Sequence, residues 1–340
     1  MIAVGIAAPR LLQSDHDLAI ALFLAGAVVV AAELSGPTRQ GRHVAGGAIA
    51  LLMLGALLLW TRHVETENTL LSARNFYGTL RIEEEGDTGD PDERRQLFHG
   101  RIMHGEQLMA AGRGREATSY YGATSGVALA IKSTRRFTEP QRVGVIGLGA
   151  GVLAAYGRVQ DVYRFYEINP LVIALARSEF SFLENSAAKL DVALGDARLV
   201  LEREAPQRFD VLVVDAFTGD AIPIHLLTEE AIALYLSHLA PDGVLAVHVS
   251  NRYLDLAPLV RLATDRLGWA ARIVDDDEED DDEDDLKAAS SWVLVVKDPS
   301  RLGSEQLGGE AKEIVVRAGL APWRDDYSSL FSVLGRRGND

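Results

Sequence analysis

The 340 residues include no cysteine. Disulfides, cysteine nucleophiles and thiolate metal sites are therefore all excluded, and the redox compartment is left open. Nowhere are Lys and Arg gathered into a basic stripe, which removes nucleic acid from the partner classes. No repeat of fixed period is visible. No uncharged apolar run reaches the ~20 residues that ordinarily span a bilayer. Two come close: Leu18 to Ala32 with 15 residues, and Val44 to Trp60 with 17. Both are apolar all round rather than on one stripe, and Trp60 suits an interface, so the stretches predict a membrane hairpin with helices over about 18–34 and 44–61. A pair of buried core helices is the competing reading. Arginines do not orient the hairpin, since Arg39 and Arg42 in its loop balance Arg10, Arg62 and Arg74 outside it.

Apolar residues make up 48% of the chain, enough for a sizeable core in one large domain or two ordinary ones. The formal charge of −15 is concentrated, because Asp275 to Asp285 is an unbroken run of 11 acidic residues, and setting it aside leaves −4. That run reads as a solvated loop, since like charges at this density repel and do not pack. A sharper alternative is that it raises the local concentration of a polycationic substrate.

The chemistry is organised around Arg142-Val-Gly-Val-Ile-Gly-Leu-Gly-Ala-Gly151, an apolar run that flows into Gly147, Gly149 and Gly151. This predicts a buried strand, a turn with little bulk, and a helix from about Val152 whose free N–H groups face a ligand. Glu167 ends the next apolar run, 20 residues after Gly147, where an acidic side chain meets ribose hydroxyls. NAD enzymes and S-adenosylmethionine (AdoMet) enzymes share these features. Two later stretches favour AdoMet. Gly195-Asp-Ala-Arg198 and Asp215-Ala-Phe-Thr-Gly-Asp220 follow the third and fourth apolar strands, at carboxyl ends where an open α/β sheet places its ligands. Asp196 also fits an N-cap. Strands are predicted at about 142–147, 162–167, 191–195, 209–215, 243–249 and 291–297, alternating with helices, which argues for a mostly parallel sheet covered on both faces. Ahead of it, short strands between Asn75 and Met109 predict a small antiparallel sheet. Helical signals recur around Ser304 to Arg317.

Taken jointly, Val-Ile-Gly-Leu-Gly-Ala-Gly, Tyr166-Glu-Ile-Asn-Pro, Gly-Asp-Ala-Arg, the Asp215-to-Glu230 stretch, His248-Val-Ser-Asn-Arg-Tyr-Leu and Tyr120-Tyr121 resemble the spermidine synthase (polyamine aminopropyltransferase) family. The bacterial branch with a membrane region ahead of the synthase-like domain is the nearest in plan. The resemblance covers about Phe76 to Lys297 and implies an α/β, AdoMet-methyltransferase-like (Rossmann-like) fold with a small N-terminal β-domain, usually a homodimer. The expected layout is a membrane region over 1–65, the β-domain over 66–115, the AdoMet-binding domain over 116–300 and an extension over 301–340. Glu167 would hold the ribose, Asp196 with Ala197 the adenine, and Gly147, Gly149 and Gly151 the nucleoside and sulfonium end.

In that family an amine attacks the aminopropyl carbon of decarboxylated AdoMet and methylthioadenosine departs, with no metal required. An alkyl amine, pKa near ~10.4, is not nucleophilic while protonated, so a carboxylate must take its proton. Asp215 matches the catalytic position, Asp220 is the second carboxylate of the same loop, and Gln107, Tyr120 and Tyr121 sit where the family lines its amine channel. Tyr rings beside a cation have a physical rationale. The chain departs from the pattern at Ala150, where the family carries an Asp for the aminopropyl ammonium, and before the last strand, where the usual gate is missing. The implied function is aminopropyl transfer from decarboxylated AdoMet, or a related transfer from AdoMet, to a small putrescine-like or polyamine-like amine at the inner membrane, with the catalytic domain cytoplasmic. An AdoMet-dependent methyltransferase and a non-catalytic nucleoside- or polyamine-binding membrane protein are the alternatives.

Overall fold

The structure, a computed structural model, describes residues 26, 54–55, 68–135, 139–217, 223–276, 288–303, 307 and 311–334. Among these no helix is long and apolar enough to cross a membrane. The expected spans over 18–34 and 44–61 lie outside the described residues, save Gly26, Leu54 and Gly55. So does most of the acidic run, whose first two members, Asp275 and Asp276, end a strand.

Residues Leu70–Asp340 form one compact unit that holds two sheets. The first is a four-stranded meander, β1 (Thr69–Asn75), β2 (Gly78–Glu85), β3 (Arg94–His99) and β4 (Ile102–Leu108), paired in sequence order. Leu80, Ile82, Leu97 and Leu108 are buried in it. The small antiparallel sheet expected between Asn75 and Met109 is this four-stranded meander.

The second sheet has seven strands: β5 (Arg142–Ile146), β6 (Val162–Glu167), β7 (Lys189–Leu194), β8 (Phe209–Val214), β9 (Leu239–His248), β10 (Ala270–Asp276) and β11 (Ser290–Val296). Their order is β10-β11-β9-β8-β5-β6-β7. The five strands β5 to β9 run parallel, and β11 and β10 add antiparallel to β9. β10 was not anticipated. Its sequence, Ala-Ala-Arg-Ile-Val-Asp-Asp, carries too little apolar alternation to stand out, and it is held by in-register pairing from Ala270↔Val296 to Asp276↔Ser290. Near-continuous apolar runs such as Phe209-Asp-Val-Leu-Val-Val belong to strands covered on both faces. Two apolar clusters do the covering, one containing Val145, Phe165 and Trp292, the other Leu212, Tyr235 and Trp323.

Helices start where side chains cap them. Ser125 caps α1 (Gly126–Ser133), Asn169 caps α2 (Pro170–Ser178) with Pro at the first turn, and α3 (Phe182–Asn185) follows. Asp196 caps α4 (Ala197–Arg203), and Thr228 caps α5 (Glu229–Ser237), whose first turn carries Glu229 and Glu230. α6 (Ala257–Arg266) precedes β10. Two expectations need correction. The turn after β5 opens a 3-10 segment of five residues, Val152–Tyr156, rather than an α-helix, and it stops at Gly157, where a Cβ would sit 2.6 Å from Ala188 Cβ. Of the 304–317 region, Leu307 lies in a 3-10 turn and the described residues 311–317 are not helical. Lys312 instead pairs with Ile273 on the edge of β10, through bonds of 2.7 and 3.0 Å, because an edge strand offers free backbone groups.

Candidate active site

The chain leaves β5 in one direction to make β6 and β7, then returns to the other side of β5 for β8 and β9. The switch falls between β5 and β8, and the carboxyl ends on either side of it form the crevice where such sheets bind ligands. Gly147, Glu167, Gly195, Asp215 and His248 all stand at that edge, at or just beyond the ends of their strands.

A solvent-open cleft of about 780 Å³ runs along it, lined by Gly147, Gly149, Glu167, Asp196, Ala197 and Asp215 among others. Glycine is required at two points. Gly147 has φ 99°, and a Cβ there would lie 2.2 Å from Asp215 O; Gly149 has φ 54°, and its Cβ would lie 2.5 Å from His104 O. Gly151 is different. It does not line the cleft, and its face is turned to Leu183 and Phe182.

Glu167 is buried, and its carboxylate accepts from Leu148 N at 3.0 Å and from Asn169 N at 2.8 Å. Burial pushes its carboxyl above the ordinary value despite those bonds. Each oxygen keeps a lone pair for a further donor. Asp196 caps α4 through Leu199 N at 3.1 Å, and its other oxygen meets His225 Nε2 at 3.0 Å. Capping and ligand binding are compatible, since the second oxygen faces an exposed His.

A second cleft of about 820 Å³ adjoins the first, lined by Ile102, Met103, Tyr120, Tyr121, His248, Ser250 and Arg252, and sharing His104, Asp215 and Phe217 with it. Asp215 is therefore at the waist of a two-chambered site. Its side chain is 10% exposed. Tyr121 Oη donates to Oδ2 at 2.6 Å, and His248 Nδ1 meets Oδ1 at 2.8 Å. Burial alone would raise the carboxyl, but the bond and charge from His248, then the bond from Tyr121, outweigh it and hold the group below its usual value. Tyr121 moves the other way, raised by burial and by Asp215, so it stays a donor. Tyr120 lines the second chamber and lies 5.6 Å from the His248 ring.

Besides Gly151, one expected residue stands elsewhere. Gln107 lines neither chamber. Its amide is consumed in tying β4 to the start of α3, donating to Gly114 O at 2.7 Å and Ser181 Oγ at 2.8 Å and accepting from Ser181 N at 2.9 Å. Ala150 is 1% exposed, and Gly105 packs so closely on it that a Cβ on Gly105 would come within 2.9 Å of Ala150 Cβ. Asp220 lies outside the described residues.

Two histidines were not anticipated. His104 is carried by β4, whose carbonyl at this residue accepts from Ala150 N at 3.3 Å, so the small sheet roofs the glycine turn. Its Nε2 is buried without a hydrogen-bond partner among the described residues, and burial, with His99 and His248 nearby, lowers its pKa to about 4 against a smaller opposing pull from Asp215. It is thus neutral at physiological pH. His248 was visible in the sequence as the polar end of the apolar run Val244 to Val247, directly after the strand that carries Asp215. That pattern is the signal that locates it.

No family model matches the chain. A polyamine aminopropyltransferase from Vibrio vulnificus is 32% identical over 117 residues, covering 32% of this chain and 38% of that protein. An N-terminal histidine N-methyltransferase from Emericella nidulans is 34% identical over 115 residues, covering 32% of this chain and 19% of that one. The chain thus spans well under two thirds of the length of these curated relatives. Among solved structures, a probable spermidine synthase from Corynebacterium glutamicum shares the fold, with 18% identity, a TM-score of 0.50, and coverage of 74% of this chain and 99% of the other. Over the matched segment the chain is thus similar to a polyamine aminopropyltransferase, and it shares the fold of a probable spermidine synthase.

Proposed function

We propose that the protein is a transferase that moves an alkyl group from an AdoMet-type sulfonium nucleoside to an amine, and specifically an aminopropyl group from decarboxylated AdoMet to a small amine. The observation that carries this is Asp215 at the waist of two adjoining chambers, which this reading assigns to the nucleoside and to the acceptor. In this reading Glu167 takes the ribose hydroxyls, and Asp196 and the Ala197 backbone take the adenine edge. Asp215 receives a proton from the acceptor amine at Oδ1 or Oδ2, freeing the nitrogen lone pair. The new N–C bond forms as the C–S bond breaks, its electron pair goes to sulfur, and methylthioadenosine leaves. The aromatic walls made by Tyr120, Tyr121 and Phe217 exclude water and suit a cationic acceptor before it is deprotonated.

A methyl transfer from intact AdoMet is the second reading, favoured by one feature. Ala150, buried beneath Gly105, offers no carboxylate to an aminopropyl ammonium. Homodimer formation, and membrane attachment through residues 18–60 with a cytoplasmic catalytic domain, complete the proposal.

The test is mass spectrometry of products after incubation with AdoMet or decarboxylated AdoMet and a panel of amines. Alkylated amine with methylthioadenosine is the expected result; methylated amine with S-adenosylhomocysteine would move the second reading ahead. Asp215→Asn keeps the shape and removes the base, so turnover should fall roughly 10²- to 10⁴-fold while nucleoside affinity survives. Wild-type turnover in this variant would overturn the mechanism.

A further inference from the structure

The parallel register that pairs Val214 with Val247 carries the next residue of each strand, Asp215 and His248, to the same sheet edge. On its other side His248 pairs in register with Trp292 of β11. The imidazole stacks on that indole at 4.4 Å with the planes 8° apart, and Phe217 meets it edge-on at 4.9 Å. Trp292 is wholly buried, and Gly126 of α1 makes room for it, since a Cβ there would fall 2.5 Å from Trp292 Cβ. The ring plane is thereby fixed, and with it the direction of both ring nitrogens.

The partner of Nδ1 then fixes a proton there. Nε2 faces Ser250 Oγ at 2.8 Å, and that oxygen already accepts from Ser291 N at 2.8 Å. That leaves the hydroxyl one hydrogen and one further lone pair to share with Nε2. Nδ1 carries the proton and donates it to Asp215 Oδ1 at 2.8 Å. Among the described residues, the titratable groups around the carboxylate are His104 on β4, Tyr120 and Tyr121 ahead of α1, and His248 on β9, with Arg252 lining the same chamber.

We infer that His248 is the positioning residue of Asp215: its imidazole, with the Nδ1–H directed at Oδ1 and its plane set by Trp292, holds the carboxylate ionised and aimed at the junction of the two chambers. The inference rests on the reading of Asp215 as the proton acceptor. It explains how a carboxylate only 10% exposed stays charged, which burial by itself opposes. It also reverses the familiar arrangement in which a carboxylate orients a histidine base.

The test compares His248→Leu with His248→Asn, Asp215→Asn running beside them. Leu keeps the bulk and removes the donor. Asn can return an N–H near the place of Nδ1. For a carboxylate base, activity requires the ionised form, so losing the donor raises the carboxyl pKa and moves the acid limb of kcat/KM to higher pH. His248→Leu should show that move together with a kcat loss of roughly 10- to 100-fold near neutral pH, a tenfold change being the effect of about 1.4 kcal/mol. The Kd for methylthioadenosine should hold within about twofold of wild type in both variants, a bound that corresponds to under about 0.5 kcal/mol. His248→Asn should restore the acid limb and much of the rate. If Asp215→Asn is inactive and His248→Leu keeps the wild-type profile, this inference falls and the proposed function stands. If Asp215→Asn is fully active, both fall. Equal losses in Leu and Asn with an unmoved acid limb would reduce His248 to packing and overturn the inference. A readout that needs no substrate is ¹⁵N NMR of histidine-labelled protein. The signal that disappears in His248→Asn should carry a proton on Nδ1, and a ring bare at Nδ1 would refute the inference.

Discussion

Replacing Glu167 by Gln puts the nucleoside chamber to its most direct test. At the end of β6 the carboxylate accepts from Leu148 N at 3.0 Å on one oxygen and from Asn169 N at 2.8 Å on the other. A carboxamide of the same shape has one acceptor oxygen and one NH₂ group, so one of those backbone donors would face another donor. A buried donor left without an acceptor costs about 1–3 kcal/mol. Leu148 belongs to the glycine turn, so part of that cost falls on the wall of the cleft. Hydrogen bonds from a ribose diol to an ionised carboxylate are worth about 1.5–3 kcal/mol, which corresponds to a weakening of Kd by roughly 10- to 100-fold. Calorimetry with methylthioadenosine measures it, and thermal melts of the free proteins separate lost binding from lost fold. The pH dependence has a sign. Burial raises the Glu167 carboxyl above its ordinary value, and only the ionised form accepts from both backbone amides and a diol together. Wild-type affinity should therefore fall on acidification before an ordinary Glu would protonate, and Glu167→Gln should show no such step. For stability the sign is opposite, because a raised folded-state pKa makes the charged form costly above it and relieves that cost as the pH falls. Unchanged affinity in Glu167→Gln, with an unchanged melt, would refute the assignment.

Other outcomes follow from the same geometry. His104 has a folded-state pKa lowered from 6.5 to about 4, so the unfolded chain takes up a proton first and stability should fall as the pH drops through that window. Urea unfolding across a pH series should show a flatter slope there in His104→Leu, with a remainder from His238, also lowered by burial; an unaltered slope would show that His104 is not shielded from solvent as described. The full chain should resist extraction from membranes by carbonate or high salt, and release without detergent would show that residues 18–60 do not insert.

The cleft built on the glycine turn was legible in the sequence because its geometry is local. Gly147 and Gly149 must be glycine where a Cβ would strike Asp215 O or His104 O, and a glycine between apolar residues is visible in one dimension. Glu167, Asp196 and Asp215 each close an apolar strand, so alternation alone assigned them to one sheet edge. The fold class followed from the same alternation. Which residues meet across strands was not legible. The Asp215–His248 contact comes from the register of β8 on β9, and the flat stack on Trp292 from the register of β9 on β11, neither of which any local pattern encodes. Gln107 illustrates the converse, since its place in the sequence resembles an amine-channel position while tertiary packing spends its amide on Gly114 and Ser181. His104 reaches the waist of the site only because the small sheet folds over the glycine turn and buries its imidazole there. Strand identity and turn chemistry are short-range properties that residue types dictate one by one. The proton inventory of the site arises from contacts between residues far apart in the chain, and burial at those contacts, which only the folded structure creates, decides which group is charged.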